Sequence, residues 1–195
     1  FKQYIMSKVF IVATPIEVDN ATEILGCPVI YSGIGKINAT MAAYKAIHKA
    51  HTEIINIGSC GSSILSPGEL VEVGQVYQDI DLTPLVPYGE VLFETNSKKI
   101  DLEANSSISC FTTDYFMDKP QKSKYSKYYL DMVENCSIFD MECFALAKVC
   151  KQHNIKFNSY KWVSDDGDGS TWEENCKIGF NKLKIKLNED ISSRR

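Results

Sequence analysis

The sequence predicts a single-domain three-layer α/β/α sandwich around a mostly parallel central sheet. Three observations predict it. Short apolar runs of strand length alternate with longer stretches of helical spacing, Gly or Pro punctuates the run ends, and no repeat, low-complexity tract or linker interrupts the order. At 195 residues, with 44% of them hydrophobic, the chain is long enough to bury one core between such layers.

The elements follow in order. Residues 8–13 (KVFIVA) form a compact apolar run ended by Thr14-Pro15. Residues 28–32 (PVIYS) form a second, closed by Gly33-Ile34-Gly35. Over residues 37–50 (INATMAAYKAIHKA) apolar side chains recur at helical spacing, among good helix formers and without proline. Residues 52–57 (TEIINI) read as a third strand, ended by a Gly58-Ser59-Cys60-Gly61 loop. Residues 70–77 (LVEVGQVY) alternate as a half-exposed strand does, and 108–112 (ISCFT) follows a polar segment. Residues 140–153 (DMECFALAKVCKQH) are apolar nearly all round, which predicts a buried helix. Residues 157–163 (FNSYKWV) make the last strand and 171–187 a closing helix. The domain is expected to span 6–190, with Met6 a natural start. Residues 1–5 read as a tag or an upstream extension, because they lack the long apolar core of a signal peptide.

Composition removes whole classes of function. A net charge of −4 does not suit a general nucleic-acid binder, which needs a basic face. The lysines from Lys119 to Lys127 are interrupted by tyrosines and a proline, and read as a solvated helix face. No run approaches the apolar length of a membrane span. The seven cysteines form no CxxC pair, and Cys27, Cys60, Cys143 and Cys150 lie in apolar surroundings; a reducing cytoplasm fits them better than a disulfide framework. His48 and His51 lie three apart on the same helix, but no third ligand of suitable type lies nearby, so no metal site is expected.

Open parallel sheets form their sites outside the carboxyl ends of the strands. Those ends carry Glu17, then Gly33 with Gly35, then Ser59 with Gly61, then Asp114 and Phe116, and finally Ser164 with Asp165. Singly, each is an ordinary turn residue. Glu142 is not: it sits at the head of the apolar helix, where an ionised carboxylate is costly unless paired or hydrogen-bonded. The helix dipole and free amides suffice for neighbouring Asp140, and are less convincing for Glu142. Gly33-Ile34-Gly35 lacks the rest of a dinucleotide fingerprint, and Gly58-Ser59-Cys60-Gly61 lacks the Lys of a phosphate-binding loop, so neither supports a nucleotide cofactor.

Six segments in this order resemble the nucleoside phosphorylase/nucleosidase superfamily, and most of all its 5′-methylthioadenosine/S-adenosylhomocysteine nucleosidase branch. They are Ala13-Thr14-Pro15-Ile16-Glu17-Val18, Ser32-Gly33-Ile34-Gly35-Lys36-Ile37-Asn38-Ala39, Ile55-Asn56-Ile57-Gly58-Ser59-Cys60-Gly61, Thr113-Asp114-Tyr115-Phe116, Asp140-Met141-Glu142-Cys143 and Lys161-Trp162-Val163-Ser164-Asp165. The resemblance implies a phosphorylase/hydrolase-like fold, catalysis without metal or organic cofactor, a small-molecule nucleoside as substrate and a homodimer. It implies that Glu17 positions and deprotonates the attacking water, that Asp165 protonates the purine with Ser164 orienting it, and that Met141 and Glu142 line the ribose. It further implies that Phe116 stacks on the base, that Ser59 contacts the water or an anion, and that Gly35 and Lys161 belong to the substrate site. The residue types suit the reaction, since cleavage of a glycosidic bond builds positive charge on the sugar and negative charge on the base.

Phosphorolytic relatives hold phosphate with arginines, one of them before the Gly-Ser of the third-strand segment. Asn56 stands at that position, and Arg194 and Arg195 lie at the extreme tail, so no bidentate phosphate clamp is apparent and water is the expected nucleophile. Departures from the family pattern are Lys161 in place of an arginine, the less acidic Thr14-Pro15-Ile16, the Asp166-Gly167-Asp168-Gly169 run, and a middle (79–105) without a counterpart. The expected activity is hydrolysis of a 5′-substituted adenine nucleoside. A purine nucleoside phosphorylase and a non-catalytic nucleoside-binding protein on the same fold remain as alternatives.

Overall fold

The computed structural model describes residues 7–116, 124–165 and 172–192. Met6 with the leading extension, Lys119, the run from Asp166 to Gly169, Thr171, Arg194 and Arg195 lie outside the described residues.

The chain runs β1 (Lys8–Val12), a one-turn 3₁₀ segment (Pro15–Val18), β2 (Glu23–Ile24), β3 (Cys27–Tyr31), α1 (Lys36–His48) and β4 (Glu53–Gly61). It continues through β5 (Leu70–Glu72), β6 (Gln75–Gln78), β7 (Lys99–Asp101), β8 (Ser109–Thr112), α2 (Lys127–Asn135) and β9 (Ile138–Asp140). It closes with α3 (Cys143–His153), β10 (Lys156–Asp165) and α4 (Trp172–Ser192). The ten strands form one sheet with β4 at its hub, flanked by β1 and β10, and with β9 meeting its far end at Gly61. Pairing is parallel at β1–β3, β1–β4, β4–β10, β6–β8 and β8–β9, so the sheet is mostly parallel as expected. Antiparallel pairs lie mainly at its margins, β2–β3 and β6–β7 among them.

Strand alternation assigns the layers. In β1, Val9 and Ile11 point to the face covered by α1 and α3, and Phe10 and Val12 to the face covered by α4. In β4, Ile54 joins the first set, Ile55 and Ile57 the second. Both faces are buried, which is why these strands read as unbroken apolar runs rather than alternating ones. α2 closes a smaller aromatic cluster of Phe111, Tyr129, Val133 and Phe139 at the β8–β9 end. Among the described residues no helix is long and apolar enough to cross a membrane.

The structure departs from the expected elements at three places that bear on the site. The Gly58–Gly61 segment is not a loop but the last part of β4, held in register by β10 as far as Asp165. Residues 70–77 divide into two strands because they serve different partners, β5 pairing with β10 and β6 with β7 and β8. The helix expected from residue 140 starts at Cys143, because Asp140 ends β9 beside β8.

Candidate active site

The carboxyl ends of β1, β4, β9 and β10 converge on a cavity of about 140 Å³. Glu17, Ser59, Phe116, Met141, Glu142, Ser164 and Asp165 all line it, together with Thr14, Ile34, Tyr115, Asp140 and Trp172. Seven of the nine residues named from the sequence are thus brought together. Gly35 and Lys161 lie behind the wall and act on the lining residues.

Glu17 is placed by the turn after β1. Its Oε2 accepts the Thr14 backbone N–H at 2.9 Å and the Thr14 hydroxyl at 3.1 Å, an N-terminal capping contact of the 3₁₀ turn. Its Oε1 accepts the Ser59 N–H at 2.8 Å and the Ser59 hydroxyl at 2.7 Å. Four donors on two oxygens suit a carboxylate, which has about four lone-pair sites. Gly58 makes this approach possible, since a Cβ there would lie 3.0 Å from Glu17 Oε1. The backbone of β4 therefore cradles the acid from one side and the turn from the other.

Glu142 precedes α3 and lies against the start of α1. Its Oε1 accepts the Gly35 N–H at 2.9 Å. Gly35 holds φ of 95°, a conformation that side-chain-bearing residues rarely adopt, and so turns its amide toward the cavity at the positive end of a helix. Burial pushes the Glu142 carboxyl up to about 7, with Asp140 adding to the rise and Lys161 and the Gly35 amide opposing it. Asp114, from the turn after β8, accepts the Lys36 N–H at 2.9 Å and pairs with the Lys36 ammonium at 3.3 Å, pinning the same helix start.

Lys161 does not reach the cavity. It is buried in β10 with its ammonium 2.8 Å from Asp140 Oδ2, both side chains 1% exposed. A direct substrate contact, implied by its place in the family pattern, is therefore not what the fold gives it. Asp140 also accepts the Thr112 hydroxyl at 2.7 Å and the Cys143 N–H at 2.9 Å, so it caps α3 while pairing with the lysine. Burial pushes Asp140 up, but the lysine charge and these hydrogen bonds outweigh it and hold the carboxyl below its usual range. Burial likewise pulls Lys161 down, and Asp140 and Glu142 outweigh it, keeping it a cation. Cys110, Asp140 and Cys143 bring three potential ligand atoms within 4.8 Å of one another, but the ammonium already neutralises this group.

Asp165 ends β10 at a register shift where it pairs with Gly61 instead of the next residue in sequence. The irregularity turns its side chain into the cavity, where Oδ2 accepts the Ser164 hydroxyl at 2.8 Å. Phe116 is 64% exposed at the rim, with its carbonyl accepting the Tyr125 hydroxyl at 2.9 Å. Asn56 faces the core of the sheet, donating to the Ile11 carbonyl and accepting from Ser159, and does not touch the cavity.

Sequence reading missed Trp172, whose Nε1–H donates to Ser59 Oγ at 3.0 Å, and the Asp140–Lys161 pair. A buried lysine in the strand run FNSYKWV was the available sign of the pair. No local pattern marks the tryptophan.

A family model described as the phosphorylase superfamily matches residues 24–184. The chain is similar to a 5′-methylthioadenosine/S-adenosylhomocysteine nucleosidase of Bacillus cereus, 32% identical over 154 residues, or 69% of this chain and 65% of that protein. The chain thus spans just under two thirds of the length of the curated relatives it matches. Its fold is that of a futalosine hydrolase of Helicobacter pylori, with a TM-score of 0.77 and 19% identity over 96% of this chain and 100% of the other. It is equally that of a 5′-methylthioadenosine/S-adenosylhomocysteine nucleosidase from the same organism bound to butyl-thio-DADMe-Immucillin-A, with a TM-score of 0.76 and 19% identity over 95% and 99% of the two chains. By a match that runs from β2 into α4, on this shared fold, the chain belongs to the phosphorylase superfamily.

Proposed function

We propose that this protein is a hydrolase that cleaves the N-glycosidic bond of a 5′-substituted adenine nucleoside, of the 5′-methylthioadenosine or S-adenosylhomocysteine kind, to adenine and the thioribose. The observation that carries this is the convergence of Glu17, Glu142 and Asp165, in three different environments, on one cavity. Cleavage needs carboxyl groups in different protonation states, which different environments supply. Asp165 gives its proton to the leaving purine as the bond electrons pass to the base. Water adds its oxygen to the sugar carbon and its proton to Glu17. Glu142 holds the sugar hydroxyls, Met141 packs on the ribose, and Phe116 stacks on the base, with Ser164 orienting Asp165.

Water is favoured over phosphate by charge. The cavity lining holds Glu17, Asp140, Glu142 and Asp165, and among the described residues no Lys, Arg or His. A phosphate dianion would find no cationic clamp there and would meet the Glu17 carboxylate. The likeness to 5′-methylthioadenosine/S-adenosylhomocysteine nucleosidases supports the same substrate class. The protein works as a homodimer in this reading. Ile37, Met41 and Tyr44 form an exposed stripe at helical spacing along α1, continuous with Ile34 at the cavity rim. Seven free thiols support a reducing, cytoplasmic setting.

The test is release of free base from 5′-methylthioadenosine, S-adenosylhomocysteine, adenosine and inosine, with and without phosphate. Adenine from the first two, independent of phosphate and abolished in Glu17→Gln and Asp165→Asn, is the expected result. Ribose 1-phosphate formation would make the protein a phosphorylase, and no base from any substrate would make it a binding protein.

A further inference from the structure

The cavity wall above Ser59 is made by a residue that the hydrolytic reading leaves without a role. Trp172 is the first residue of α4, and its indole lines the cavity. Its Nε1–H donates to Ser59 Oγ at 3.0 Å, across 113 residues of sequence. A serine hydroxyl has one proton to give and lone pairs to accept with. With the indole N–H aimed at its oxygen, the Ser59 proton is left for Glu17 Oε1, 2.7 Å away. That oxygen also takes the Ser59 backbone N–H at 2.8 Å. Indole, hydroxyl and carboxylate form a chain of donors with one direction, ending on the group that would receive the proton of water.

A tryptophan at a cavity wall commonly offers apolar area alone, and a phenyl ring would supply most of it. The indole differs by a single N–H, and here that N–H ends on the hydroxyl that supports Glu17. Without it, the Ser59 hydroxyl keeps its bond to Glu17 but is held by one partner fewer. The anchor is firm, since α4 packs through Phe180, Leu183 and Leu187 against the sheet face carrying Ile55, Ile57 and Trp162.

We propose that Trp172 is a positioning residue of the hydrolytic site, its indole N–H orienting the Ser59 hydroxyl and so holding Glu17 in place for the attacking water. This rests on the hydrolase reading.

Trp172→Phe keeps the ring and removes the N–H. The loss of one hydrogen bond should lower kcat about fivefold with KM within about twofold of wild type. In a Ser59→Ala background the same substitution should have almost no further effect, because its target is gone. The chain has two tryptophans, so a proton–nitrogen correlation spectrum shows two indole N–H peaks, and the one missing in Trp172→Phe identifies Trp172. That peak should move, and exchange faster with solvent, in Ser59→Ala. An active wild type with unchanged kcat in Trp172→Phe overturns the inference, as does an equal loss in both backgrounds. An unmoved indole peak overturns it independently of any activity. A wild type that releases no base overturns the hydrolase reading and the catalytic part of the inference with it, while the indole peak still decides whether Trp172 holds Ser59.

Discussion

Glu142 is the residue at which stability and function pull apart. Its side chain sits against the α1 amide end, yet burial and the neighbouring Asp140 carboxylate raise it to about 7 from a usual 4.5. A carboxyl whose folded value is raised binds its proton more tightly in the folded state. Its contribution to stability is therefore complete below about 4.5 and is lost as pH rises through about 7. Glutamine has no such titration. Glu142→Gln should therefore gain stability over wild type between pH 5 and pH 8, up to about 3 kcal/mol, while losing activity. Thermal melts of both proteins across that range check the slope; parallel melting curves would refute it. Lys161 is the opposite case. Replacing it with Met leaves the Asp140 carboxylate buried beside Glu142 without its counter-charge. The expected loss is about 3–5 kcal/mol in urea unfolding.

At the scale of elements, α4 and β4 matter most because each touches the site at one end and the core along its length. A Cβ on Gly179 would come 2.1 Å from the Trp162 side chain, so Gly179→Ala should force α4 away from β10. Overpacking of that kind costs about 1–3 kcal/mol. Since Trp172 rides on the same helix, kcat should fall along with the urea midpoint; a fall in stability alone would show that the helix start is held independently of its middle. β1, β3, α1, β8 and β10 were legible in the sequence to within a residue or two; β4 and α4 run further than expected, α3 starts later, and β2, β7 and β9 were not read as strands. The runs KVFIVA and PVIYS lie close to β1 and β3; β1 is buried on both faces, while β3 is half-buried, with Ile30 packed on one core cluster and Val29 and Tyr31 on the other. Gly58-Ser59-Cys60-Gly61 was misread as a loop because glycines usually punctuate. Here they are small for two contacts, Glu17 against Gly58 and the Phe139 ring against Gly61.

For the whole molecule, the exposed apolar stripe on α1 leads from solvent to the cavity rim. On the homodimer proposal, a charge at its centre, Met41→Lys, should shift the protein from dimer to monomer in sedimentation equilibrium. Met41 is 67% exposed, so folding should be unaffected. If the wild type sediments as a monomer, the stripe serves something other than a second copy. The site itself was read from the sequence as separate residues at strand ends, and the sheet brings Glu17, Ser59, Phe116, Met141, Glu142, Ser164 and Asp165 to one cavity. Lys161 and Gly35 were also singled out, and act through Asp140 and Glu142 from behind the wall.

By itself the sequence determined the layered α/β architecture and the residues able to do acid–base work. Hydrophobic periodicity is local, and a carboxylate beside an apolar helix is visible without coordinates. Tertiary structure alone decided which groups meet. The Asp140–Lys161 pair joins β9 to β10, and Trp172 meets Ser59 across 113 residues. The register shift at the end of β10 decides where the Asp165 carboxyl points. These follow from strand order and helix packing, which couple residues far apart in the chain and leave no trace in local spacing.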